Sequence, residues 1–301
     1  VLTPDDPLSR GIAAAVALGL VALLVWRAVR KDRREYSRFR RFRSTAKRQG
    51  MMRHWLIESM LLFGGSALVL AVVVHPLTGS VLEAARSVGW VAAVAGWFQG
   101  PVGMLALALA VALAVALTVV GVRSARREGG VVMIGDIAAL LPRNRTELGW
   151  ASALAVNAGL VEELLFRLCL PALLFVVTGE PLSAFGLAVL LFAALHAYQG
   201  VPGLLATLVV GLLLTASYVL SGSIVVAIVL HALLDLRTLV LVPVAVYDVH
   251  RVPGSRRFPP ALAALSLGEP EEEPTRAPAS ALGPSPAPAH DDAADGASST
   301  A

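Results

Sequence analysis

The chain has 301 residues, 56% hydrophobic and only 15% charged, with a mean hydropathy of +0.73. Soluble globular domains carry about 25% charged and about 45–50% apolar residues, so this composition excludes a soluble enzyme, a disordered scaffold and a nucleic-acid module. The net charge of +4 is unevenly spread: residues 259–301 hold Arg276 against seven acids (Glu269, Glu271, Glu272, Glu273, Asp291, Asp292 and Asp295).

Seven apolar stretches follow one another: Gly11–Val29, Trp55–Val74, Pro101–Val122, Gly149–Thr178, Leu182–Tyr198, Pro202–Leu220 and Ser223–Val246. About 20 apolar residues suffice to cross a ~30 Å hydrocarbon core as a helix. The expected fold is therefore all-α, a polytopic transmembrane helical bundle of about seven spans. The first stretch follows no basic n-region and shows no clear small-residue cleavage site, so it reads as an anchor rather than a cleaved signal peptide.

Basic residues set the expected orientation. Twelve Arg or Lys lie between Arg27 and Arg53, against Asp32 and Glu35, which places this loop in the cytoplasm. Arg123, Arg126, Arg127, Arg143 and Arg145 fall on the same side, as do Arg251, Arg256 and Arg257. The intervening loop at 75–100 carries only Glu83 and Arg86 among its acids and bases. This pattern closes with the N-terminus outside and the C-terminus cytoplasmic.

Three parts result. Residues 1–130 carry the first three spans and the basic loop at 27–53, read chiefly as a topology signal, with a membrane-surface helix attracted to anionic lipid as the alternative. Residues 131–250 form a membrane core of four spans, led by a short apolar run, Val131–Leu141, that suits an interfacial or re-entrant segment and ends at Pro142. Residues 251–301 are a Pro/Ala-rich acidic tail, too poor in apolar residues to bury a core, and expected to be disordered. The bases comprise 23 Arg against Lys31 and Lys47, a bias common in GC-rich bacterial genes, so a bacterial plasma membrane is the expected setting.

Chemistry is concentrated in the last four spans. Between Gly149 and Val246 the ionisable residues and histidines are Glu162, Glu163, Arg167, Glu180, His196, His231, Asp235 and Arg237. A charge at the centre of a spanning helix costs about 2.5–3.5 kcal/mol on insertion scales, so such a group needs partners or a function. In VEELLFR, Glu163 and Arg167 are four apart and share a face as an ion pair, which leaves Glu162 free, about 100° around the helix. In FAALH, Phe192 and His196 share a face; in HALLD, so do His231 and Asp235. If these faces converge, a free carboxylate meets two imidazoles in a water-poor cavity, where a base can activate water and a donor can hold a developing oxyanion. Cys169, the single cysteine, reads as a small buried hydrophobe rather than a nucleophile. Arg237 is left between lining the site entrance and snorkelling.

Together, EELLFR at Glu162–Arg167, FAALH at Phe192–His196 and HALLD at His231–Asp235 resemble the CPBP family, the type II CAAX prenyl endopeptidase and bacteriocin-processing intramembrane proteases, also called abortive-infection-like proteins. The run LLPRNRTELGW is similar to the lead-in of bacterial members, and the resemblance covers about Leu140 to Val246. It implies a metal-free, cofactor-free glutamic protease in which Glu162 activates the attacking water, Glu163 and Arg167 form a structural pair, Phe192 packs the site, His196 binds the water, and His231 stands near the scissile carbonyl oxygen. The last motif position is often asparagine in the family and is Asp235 here. An ionised aspartate cannot donate a hydrogen bond, so Asp235 either is protonated or orients His231; the second reading is preferred.

Alternatives remain at the level of sequence. His196, His231 and Glu162 could ligate a catalytic zinc with water in the fourth position, although the HExxH spacing is absent. The same residues could hold together a non-catalytic scaffold or immunity protein, or form the proton relay of a transporter. The expected partners are the bilayer and a membrane-associated peptide or protein, with no nucleic acid.

Overall fold

The computed structural model describes residues 5–128, 130 and 133–254; the acidic tail lies outside the described residues. Among those described, helices are the only regular elements. Five are long and apolar enough to cross a membrane: Pro7–Phe39, Thr45–His75, Pro101–Glu128, Ala197–Ser221 and Ile224–Tyr247.

The first of these begins as α1 (Pro7–Arg27), where Asp6 accepts hydrogen bonds from the Leu8 and Ser9 amides and Pro7 opens the first turn, both standard N-terminal devices. It passes through a π-helical stretch at Ala28–Asp32 into α2 (Arg33–Phe39). The chain turns and returns as α3 (Thr45–Ser59), a second π stretch at Met60–Gly64, and α4 (Gly65–Ser87). Then come α5 (Gly89–Gln99) and α6 (Pro101–Glu128).

The expected loop at 75–100 is thus mostly helical. Leu70, Val74, Leu77, Val81 and Ala85 are all buried, a stripe at three- and four-residue spacing that continues the helix well past Val74. Pro76, Thr78, Gly79 and Ser80 interrupt the apolar run and mask this periodicity. By contrast, the apolar window of α6 buries nothing within the protein, and Leu105, Leu109, Leu113 and Leu117 are about 60% exposed. An uncovered apolar helix of that length is intolerable in water and natural against lipid.

The C-terminal half contains α7 (Arg145–Glu163), a π-helical stretch at Leu164–Cys169, α8 (Leu170–Thr178), α9 (Pro181–Leu195), α10 (Gly200–Ser221), α11 (Ile224–Leu236) and α12 (Val242–Tyr247). The fourth apolar stretch is therefore α7 and α8 joined through a π turn, and the fifth is the 15-residue α9. At the α8–α9 corner Gly179 takes a left-handed conformation (φ 68°), which a side chain would resist, and Glu180 caps α9 by accepting from the Ser183 amide.

The start of α7 is latched to α3 by buried polar groups rather than by apolar packing. Arg48 and Glu147, each fully buried, pair at 3.0 Å. Thr45 donates to Glu147 at 2.8 Å, and Arg48 also donates to the Ala139 and Leu141 carbonyls at 3.1 Å. Burial, and then the charge of Arg48, press the neighbouring Arg143 guanidinium below its ordinary range, with Glu147 opposing. The expected interfacial run at 131–141 is irregular where it is described, with one 3₁₀ turn at Ala138–Leu140. It is tied to the α9–α10 connection by Asp136 N–H donating to the Gln199 carbonyl at 2.9 Å.

Candidate active site

Two close approaches assemble the polar groups. At the first, α7 meets α11 so tightly that a Cβ on Gly159 would lie 2.8 Å from the Ala232 nitrogen and 2.9 Å from its Cβ. Only a hydrogen fits there, and the contact brings the end of α7 against His231. At the second, Gly211 on α10 stands against Phe192, with a Cβ there 3.2 Å from the ring and 3.6 Å from an Arg167 nitrogen.

The adjacent glutamates differ sharply. Glu163 is fully buried, and its Oε1 accepts from Arg167 Nη1 at 2.8 Å and from His231 Nδ1 at 2.7 Å. Arg167, also buried, stacks over the Phe192 ring at 4.2 Å. The π stretch that begins directly after Glu163 carries Arg167; such turns recur at functional sites. Glu162 is only partly buried and has no hydrogen bond or ion pair among the described residues. Its carboxylate nevertheless lies within electrostatic range of His231, Glu163, Arg167 and Arg27.

His196 ends α9, where the chain leaves helical geometry (φ −93°, ψ 9°). Its Nδ1 is 2.8 Å from the Phe192 carbonyl oxygen. A carbonyl can only accept, so Nδ1 carries the proton and the neutral ring keeps its lone pair on Nε2. The Phe192 ring joins both histidines, with centroids 4.8 Å from His196 and 6.1 Å from His231.

Glu163, rather than Asp235, holds His231. Asp235 Oδ2 is 3.7 Å from Nε2, beyond hydrogen-bond reach, because the tight α7–α11 crossing presents Glu163 squarely to Nδ1. Asp235 thus stands at ion-pair distance from the opposite edge of the ring, and the hydrogen bond that fixes the imidazole is the one accepted by Glu163. Cys169 is buried and donates weakly to the Ala67 carbonyl at 3.4 Å, consistent with packing. Arg237 donates from Nε to Thr118 on α6 at 2.9 Å, so its side chain is bonded to α6.

Several site neighbours escaped the sequence reading. Tyr198 stands beside His196, with ring centroids 6.1 Å apart, and within electrostatic range of Glu162 and Asp235. Tyr36 of α2 packs on Tyr198 at 5.2 Å and donates to the Asp136 carbonyl, so α2 covers the turn that carries His196. Arg27, read as a topology marker, is 8% exposed and bonded to Asp32 at 3.0 Å. Among the described residues, His, Cys, Asp or Glu ligand atoms gather within 4.8 Å of one another at Glu35, His54 and Glu58. There the Lys31 ammonium already pairs with Glu58 and Glu35.

Five helices long and apolar enough to cross a membrane, together with a buried Glu–Arg–His network, define the class as a polytopic membrane protein with a buried polar site. Residues 144–237 match the family model described as Type II CAAX prenyl endopeptidase Rce1-like. The matched segment is 94 of the 301 residues and runs from the α7 cap, Asn144, through Glu162, His196, His231 and Asp235. No curated protein and no solved structure matches the chain.

Proposed function

We propose that the protein is an intramembrane endopeptidase that hydrolyses a peptide bond of a membrane-associated substrate with water activated by Glu162 and His196. The observation that carries this reading is the division of labour between adjacent glutamates. Glu163 is consumed by Arg167 and His231, whereas Glu162 has no hydrogen bond or ion pair among the described residues and is available to a water.

In the proposed reaction Glu162 takes a proton from water while His196 Nε2 accepts a hydrogen bond from the same molecule. The resulting hydroxide attacks the carbonyl carbon. His231, fixed through Nδ1, offers Nε2–H to the developing oxyanion when its ring is protonated, with Glu163 as counter-ion; donors placed where charge develops are the strongest single aid to acyl transfer. The C–N bond then breaks, and the departing nitrogen recovers the proton from Glu162. Asp235, freed from orienting the ring, borders the Nε2 edge. The same reading takes the Arg-rich side as cytoplasmic, and the substrate as a peptide precursor or another membrane protein.

The test is Glu162→Gln beside wild type in reconstituted vesicles, scored by mass spectrometry of peptides released from a membrane-anchored peptide library. Loss of release in the variant supports the enzyme. An absence of release by wild type would leave a non-catalytic scaffold as the better reading.

A further inference from the structure

The helix from α1 through α2 has two opposed faces. One is pinned to the protein: Tyr36 and Phe39 are buried, Asp32 holds Arg27, and Glu35 accepts from Trp55 Nε1 at 2.8 Å and pairs with Lys31 at 3.6 Å. The other presents Arg30, Arg33, Arg34, Arg38 and Arg41, which line a groove of about 380 Å³ together with Val29 and Ser37. From residue 33 onward these fall at i, i+1, i+4, i+5 and i+8, one side of an α-helix.

The local acids are thus spoken for on the far face. Arg30, Arg33, Arg34 and Arg38 have no ion pair among the described residues. Convergent guanidinium groups without a counter-ion repel one another, and a planar fork of donors matches the oxygens of phosphate or carboxylate in a bidentate geometry. A groove of this kind suits an oxyanion such as phosphate.

Position selects the source of that phosphate. The apolar run of α1 ends at Arg27, and at 1.5 Å per residue Arg30 to Arg34 lie about 5–10 Å beyond it. The headgroup layer occupies roughly that interval outside a ~30 Å core. Val29 on the groove wall is 63% exposed, which suits contact with the glycerol and upper acyl region. We propose that the groove is a binding site for the phosphate of an anionic lipid headgroup, seated on the opposite side of α2 from the Tyr36–Tyr198 contact.

The experiment titrates the detergent-solubilised full chain with short-chain phosphatidylglycerol, short-chain phosphatidylcholine and inorganic phosphate, reading binding by thermophoresis. Saturable binding of phosphatidylglycerol, with phosphatidylcholine and inorganic phosphate each at least tenfold weaker, is expected. The triple variant R30Q/R33Q/R34Q weakens phosphatidylglycerol binding by about a hundredfold, at roughly one cation's worth of surface attraction per arginine. The variant R38Q/R41Q, farther from the hydrocarbon, weakens it by about tenfold, and R123Q/R127Q on α6 leaves it unchanged. Labelling of Cys169 by a thiol-reactive dye on heating reports whether each variant is folded. Equal binding of both lipids, wild-type affinity in both groove variants, or inorganic phosphate binding as tightly as the lipid would each overturn the proposal, the last by assigning the groove to a soluble anion.

Discussion

Replacing Glu163 by Gln should destabilise the protein strongly, whereas the same change at Glu162 should leave stability almost untouched. Glu163 and Arg167 are fully buried, and one carboxylate oxygen serves both Arg167 at 2.8 Å and His231 at 2.7 Å. Removing the charge strands a buried guanidinium, and breaking a buried pair from one side costs about 3–5 kcal/mol. At about 2–4 °C per kcal/mol for a chain of this size, the midpoint should fall by roughly 10 °C. Glu162 has no hydrogen bond or ion pair to lose among the described residues, so its replacement should move the midpoint by less than about 2 °C, at about ±0.5 kcal/mol. Cys169 makes the assay internal, because this single, buried thiol reacts with a fluorogenic maleimide only as the surrounding helices open. The double variant Glu163→Gln/Arg167→Met removes the stranded charge and should recover part of the loss. Equal shifts for Glu162→Gln and Glu163→Gln would refute the division of roles between the two carboxylates.

Other consequences follow from the same geometry. Gly159→Ala drives a methyl into Ala232 and should cost about 1–3 kcal/mol as overpacking, with proteolysis reduced, while Gly149→Ala, where nothing lies within 4 Å, should be neutral in both assays. Glu147→Gln strands Arg48 in a fully buried setting and should lower the unfolding midpoint about as much as Glu163→Gln, read by the same dye. Asp235→Asn should keep cleavage within about threefold of wild type, since Glu163 accepts the hydrogen bond from His231 and an amide can donate where a carboxylate cannot; a loss of a hundredfold or more would assign the orienting role to Asp235. If no zinc is required, 1,10-phenanthroline should leave cleavage unchanged, and inhibition reversed by added zinc would favour the zinc-dependent alternative.

Features set by local spacing were legible in the sequence. The Glu163–Arg167 pair and the Phe192–His196 face follow from the 3.6-residue period and are present in the structure, as are five helices long and apolar enough to cross a membrane where seven apolar stretches were expected. What the sequence could not reveal depends on pairs distant along the chain. The bond from His231 to Glu163 joins residues 68 apart and exists because Gly159, unremarkable in a row of Gly, Ala and Leu, lets two helices nearly touch. Asp235, one turn from His231, was the local choice for a partner and lost to that approach. Tyr198 and Tyr36 meet across an even longer separation, and no composition rule flags them. Helix beyond Val74 was readable from the stripe Leu77, Val81 and Ala85, but Pro76, Thr78, Gly79 and Ser80 made the segment resemble a loop. The π turn after Glu163 has no sequence signature of its own.

The role of Glu162 as the base that activates water is tested most directly by cleavage in water enriched in ¹⁸O, with wild type and Glu162→Gln compared in the same vesicles. General-base assistance is worth about 10²–10⁴-fold. Wild type should release fragments whose new carboxyl carries one ¹⁸O, and the variant should release at least a hundredfold less at an unchanged unfolding midpoint. Labelled product from Glu162→Gln at the wild-type rate would contradict the assignment.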